Sequence, residues 1–205
     1  MNQNEAVFRD APVRTAVVRM AVPTVISSLV LVIYNMADTF FVGQTHDAIQ
    51  VAAVSLTNPV FVMFMAIANL LGIGGSAVIS ILLGQQMHKE AKTASSFCCY
   101  ASLVFGVLSA LIILPLMDPL LSVLGSTQNT IQPAREYLFY IAVGAPFILF
   151  ANTFGHVVRG EGAAKASMVG GMIGTVVNIV LDPVFILTLN MGTAGAAIAT
   201  VLGNV

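Results

Sequence analysis

The chain has 205 residues, of which 58% are hydrophobic and 8% charged, with a formal net charge of −1 and a mean hydropathy of +0.93. That balance excludes a soluble domain, and between the charge clusters lie apolar runs of about 20 residues or more, enough to cross a bilayer core of roughly 30 Å. A transmembrane β-barrel is excluded as well, because no alternation in segments of about ten residues is visible.

Residues 1–14 read as a short cytoplasmic segment and 15–205 as an all-α, polytopic lobe of six transmembrane helices. The first span runs from about Thr15 to Val42, with Arg9, Arg14 and Arg19 at its start. It is too long for the apolar core of a signal peptide and shows no clear small-residue cleavage site. The second span, about Val51 to Leu83, is long, and "GIGGS" (Gly72 to Ser76) is a candidate break in it. The third runs from about Thr93 to Met117. Its adjacent Cys98 and Cys99 match no metal or redox spacing and read as small apolar residues. The fourth runs from about Ala134 to Val158 and the fifth from about Ala166 to Leu189. A sixth begins near Thr193 and is cut off at Val205.

The basic residues test this map. Of the eight Lys and Arg, three stand at the start of the first span, Lys89 and Lys92 follow the second, and Arg159 and Lys165 follow the fourth. The connections "GQTHDAIQ", "DPLLSVLGSTQNTIQP" and "NMGT" contain none, and Arg135 is the exception. Basic residues collect on the cytoplasmic side, so the pattern predicts a cytoplasmic N-terminus in the plasma membrane. Pro23, Pro59, Pro115, Pro146 and Pro183 are expected inside spans, where each frees a carbonyl that needs a partner in protein or a watery cavity. Pro23 and Pro183 share their spans with an acid, so Pro23 is read as a functional bend.

Two carboxylates lie well inside spans, Asp38 and Asp182. Both spans run from inside to outside, and the acids precede the outer ends by five and eight residues. Their depths are therefore about 7 and 12 Å, and one cavity in the outer half can hold both. Asn178 precedes Asp182 by four residues, and Asn35 and Tyr34 precede Asp38 by three and four, so each group shares a helix face. Thr200, about seven residues into the inward-running sixth span, has a matching depth. Asp38, Asn178, Asp182 and Thr200 thus form a candidate cluster of oxygen ligands. Such a set suits a hard cation such as sodium, and two close carboxylates also raise one pKa toward neutral, which suits a proton. Acids inside a membrane are functional by default, and the competing reading is a structural hydrogen-bonded pair. Tyr137 and Tyr140 fit interfacial anchors, Tyr137 being also a cavity candidate. Asn152 fits either a cavity residue or an interhelical hydrogen bond, and His156 an interfacial position.

Several stretches carry a resemblance. "AVPTVISSLVLVIYNMADTFFVGQ", "VAAVSLTNPVF" followed by "LGIGGSAVISILLGQ", "VVRGEGAAKASM" and "NIVLDPVFILTLNMGTAGAAIAT" resemble, in order and spacing, the first six helices of MATE (multidrug and toxic compound extrusion) transporters. The bacterial and archaeal branch with an acid in the first helix fits best. The resemblance implies one lobe of a twelve-helix transporter that exports cationic, amphipathic compounds in exchange for protons or sodium. It implies Asp38, Asn178, Asp182 and Thr200 as the cation or proton site, Tyr137 and Asn152 as fourth-helix residues of the cavity, and Pro23 as the bend of the first helix. No catalytic residue and no cofactor besides the coupling ion is expected. The expected partners are small cationic or amphipathic substrates, the lipid bilayer and the missing C-terminal lobe or a second copy, with no nucleic acid. The simplest expectation is a truncated N-terminal lobe. The alternatives are a flippase for lipid-linked precursors, which calls for a strongly cationic cavity, and a non-transporting membrane scaffold. An intramembrane aspartyl protease lacks its usual settings, since Asp38 follows Ala37 and Asp182 sits in "VLDP".

Overall fold

The computed structural model describes residues 13–43, 48–189 and 191–205, and every regular element among them is a helix. In order these are α1 (Val13–Gly43), α2 (Ala48–Gly84), α3 (His88–Ile113), the short α4 (Met117–Val123), α5 (Ile131–Gly160), α6 (Ala164–Pro183), which continues into a π-turn (Val184–Thr188), and α7 (Gly192–Gly203). Four of these segments, 48–84, 88–113, 131–160 and 164–186, are long and apolar enough to cross a membrane. α1 has 31 residues and also exceeds the bilayer core in length. Hydrocarbon offers the backbone no partner, so long apolar runs close their hydrogen bonds within one helix. The chain is a multi-pass membrane protein.

α5 is the central helix, packed against α2, α3, α6 and α7. Its buried residues Ala134, Leu138, Ile141, Ala145, Ile148 and Leu149 recur along its whole length. The outer helices bury only narrow stripes, while Leu70, Ile81, Phe97 and Leu111 stand exposed. In lipid an apolar side chain gains nothing by turning inward, so small residues decide which faces meet. On α3 the stripe is Cys98, Ser102, Gly106, Ser109 and Ile113, all buried. A side chain at Gly106 would strike the backbone of Pro146 on α5.

The bundle ends alternate as the basic residues predict. At one end Ser80 Oγ donates to the Gly160 carbonyl (2.9 Å) and Ser95 Oγ to Glu161 Oε1 (2.8 Å), so the 85–87 and 161–163 turns lie together. At the other end Thr193 Oγ1 donates to the Pro133 carbonyl at 3.1 Å, joining the starts of α5 and α7. Arg135, the exception to the charge pattern, sits at that second end and pairs with Asp118 across 3.4 Å at an exposed position.

Two expectations are corrected. α2 runs unbroken through Gly72–Ser76. The small residues there make contacts: Gly72 faces His156, Gly75 faces Cys98, and Ser76 lies against Gly160. A break at that depth would leave backbone groups unsatisfied, whereas a smooth glycine surface lets α3 and α5 approach. Pro115 is not inside a span, because α3 stops at Ile113 and Pro115 falls in the turn before α4. Cys98 packs with Ile79 and Val157 in a small core cluster, and both cysteines are free thiols.

Candidate cation-binding site

The site is built where α6 meets α7. Asn178 and Asp182 lie one turn apart on α6 and expose 3% and 0% of their surface, and Thr200 on α7 exposes 3%. Three contacts fix the register of the two helices. Gly174 lies against the Gly203 carbonyl, a Cβ on Gly203 would come 2.9 Å from Asn178 Cβ, and one on Gly195 would come 2.9 Å from the Phe185 backbone. The helices are therefore antiparallel, and Asp182, between Asn178 and Phe185, lies level with the stretch between Gly195 and Gly203 that carries Thr200. Glycine is needed at 203 because any side chain there would displace Asn178.

The local chemistry is that of acceptors. Thr200 Oγ1 donates to the Ala196 carbonyl at 2.9 Å, so its only proton is committed within α7 and its oxygen can serve others as an acceptor. Neither side-chain polar atom of Asn178 has a hydrogen-bond partner among the described residues. An unsatisfied buried amide costs about 1–3 kcal/mol, so this one sits where a ligand would be stabilising. Asp182 is the one charged residue that is buried among those described. Also among them, no group of three or more His, Cys, Asp or Glu side chains could hold a metal ion. A carboxylate, an amide and a hydroxyl suit a hard monovalent cation or a proton rather than a soft transition metal.

The backbone beside Asp182 is irregular. Pro183 brings no N–H to the ladder, and the next turn is wound as a π-helix in which Leu189 N–H reaches the Val184 carbonyl at 2.9 Å, five residues back.

α1 packs chiefly along α6, so the helix that carries Asp38 runs beside the one that carries Asn178 and Asp182. The side chains of Asp38, Tyr34 and Asn35 lie outside the described residues. Pro23 is buried, and α1 is one helix through it.

Two further residues, Tyr137 and His156, fall differently from an interfacial reading, while Asn152 makes one of the two contacts expected of it. Tyr137 is 8% exposed and belongs to the main core, because α5 is covered by neighbours even in its first two turns. His156 packs against Gly72 between α5 and α2, where the missing glycine side chain makes room for its ring. Asn152 Nδ2 donates to the Ile148 carbonyl (2.8 Å) and to Asn204 Oδ1 (3.4 Å), so it makes an interhelical hydrogen bond. Asn204 was not singled out by sequence reasoning. The available signal is its place one turn after Thr200, whose carbonyl its Nδ2 reaches at 2.8 Å.

Known proteins are similar to this chain in sequence and fold. The family profile described as MatE matches residues 23–184. The multidrug export protein MepA of Staphylococcus aureus is 33% identical over 198 residues, covering 97% of this chain and 44% of MepA. A MATE protein solved in a straight conformation superposes with a TM-score of 0.94 at 34% identity, over 100% of this chain and 45% of the other. One solved in a bent conformation gives 0.91 at the same identity and coverage. The chain thus spans about half the length of the relatives it matches.

Proposed function

Because the chain belongs to the MatE family, we propose that it is the N-terminal half of an ion-coupled exporter of cationic, amphipathic compounds. The observation that carries this reading is Asp182, fully buried one turn from Asn178 and level with Thr200, on a helix that lies along α1. The similarity to a multidrug export protein over nearly the whole chain supports the substrate class. The absence of any buried Lys or Arg among the described residues favours cationic cargo over the pyrophosphate of a lipid-linked precursor.

In this reading Asp38 and Asp182 share a cavity in the outer half of the lobe, with Asn178 and Thr200 as neutral ligands, and the N-terminus lies in the cytoplasm. With the site empty, the two carboxylates repel each other and favour a hydrated cavity beside a straight α1. When a proton or sodium ion binds, their charge is offset and α1 can bend at Pro23, where the chain lacks a hydrogen bond. Solved MATE proteins described as straight and as bent supply two shapes of this kind. Bending shrinks the cavity and expels substrate outward. The ion drives the change only through unequal affinity for the two shapes, and a tenfold difference corresponds to about 1.4 kcal/mol.

The test uses the full-length transporter in proteoliposomes carrying an imposed proton or sodium gradient, with ethidium as the cationic probe. Gradient-driven efflux that is present in the wild type and lost in Asp182→Asn supports the reading. Efflux that ignores both gradients, or survives the substitution, refutes it.

A further inference from the structure

Four polar residues run across α7 from α6 to α5. At 100° per residue, Thr200 lies between Gly203, which faces Asn178 on α6, and Asn204, which faces Asn152 on α5. The hydrogen bonds along this strip have a direction. A carbonyl can only accept, so the Thr200 carbonyl requires the Nδ2 of Asn204 (2.8 Å). The Oδ1 of Asn204 is then turned toward α5, and an oxygen there requires the Nδ2 of Asn152 (3.4 Å). The other proton of that nitrogen goes to the Ile148 carbonyl (2.8 Å). Both N–H groups of Asn152 are thereby occupied, and no hydrogen bond of the described residues occupies its Oδ1.

We propose that Asn204 is a positioning residue that holds the Asn152 amide with its oxygen, not its nitrogen, presented to substrate. The half-buried Asn152 then offers an acceptor, matched to the N–H donors of a cationic amine and mismatched to an anion. The inference rests on the exporter reading and adds a residue to its substrate site. Without the acceptor at position 204, Asn152 keeps only the bond to Ile148 within its own helix. Its amide can then swing, and the oxygen is no longer held toward the substrate.

The experiment measures concentration-dependent ethidium efflux by the full-length transporter in proteoliposomes. Asn204→Leu removes the amide at similar volume and is expected to raise KM about fivefold, the weight of one neutral hydrogen bond, with a smaller effect on kcat. Asn152→Leu is expected to raise KM at least as much. The double substitution should then be no worse than Asn152→Leu alone, because a positioning residue has nothing left to position. Additive effects, or a fall in kcat with KM unchanged, overturn the proposal. If Asn204→Leu does not insert, Asn204→Gln retains the amide but displaces it by one methylene. A raised KM in that variant supports the proposal, and an unchanged KM overturns it. Absence of ethidium efflux by the wild type refutes the exporter reading, and this inference with it, whereas wild-type efflux with an unaltered KM in the variants refutes the positioning role alone.

Discussion

At the scale of single residues, the proposed function turns on the acids and their neighbours. Asp182→Asn keeps the volume and buried position of the side chain but removes its charge. We expect it to insert normally and to lose ion-driven efflux, and Asp38→Asn to do the same, read by dye efflux against the amount of protein in the membrane. Normal efflux by either variant would reduce that acid to a structural role. Asn178 gives a second prediction, independent of transport. If the coupling ion satisfies its buried amide, saturating sodium or protons should raise the unfolding temperature of the purified full-length protein, since a ligand that binds only the folded state stabilises it. Asn178→Leu should weaken that ion-dependent rise. An equal rise in variant and wild type would remove Asn178 from the ligand set.

At the scale of elements, glycines set how closely helices approach. A Cβ on Gly160 would lie 2.7 Å from Ser76 Cα and 2.9 Å from its carbonyl oxygen, atoms of a backbone that cannot rotate away. Gly160→Ala should therefore destabilise the lobe by about 1–3 kcal/mol, the usual size of an overpacking penalty. Gly74→Ala meets nothing within 4 Å and serves as the control. Thermal unfolding in detergent compares the two, and equal midpoints would show that α2 and α5 slide apart without cost. The same close contact explains why the glycine-rich stretch of α2 does not break the helix. The stretch reads as a flexible point only until Cys98, His156 and Gly160 are seen to fill the space beside it.

For the whole molecule, the charge pattern predicts the orientation. Cysteine labelling from outside, in a background free of Cys98 and Cys99, should reach a cysteine placed in residues 44–50 and miss one placed in 84–92. The reverse pattern would overturn both the orientation and the depth assigned to the acids. The fold itself places the 85–87 and 161–163 turns at one end of the bundle, which is the grouping that labelling should find.

The number, length and alternation of the spans were legible in the sequence, because in lipid a helix is specified by its own run of apolar residues and its flanking charges. The place of Asp182 inside a span was legible for the related reason that a carboxylate stands out in such a run, and its burial fits the cost of exposing it to lipid. What only the tertiary structure decided is which faces touch. Hydropathy does not distinguish lipid from protein, so the central place of α5, the burial of Tyr137 and the seat of His156 against Gly72 had no signature in composition. Asn204 has the same origin. As a residue it is one amide capping an apolar helix, and it acquires a role only because Gly203 brings α7 against α6 while Asn152 waits on α5. Local chemistry determines the helices and their polar points, and the close approach of small residues from distant segments determines which of those points meet.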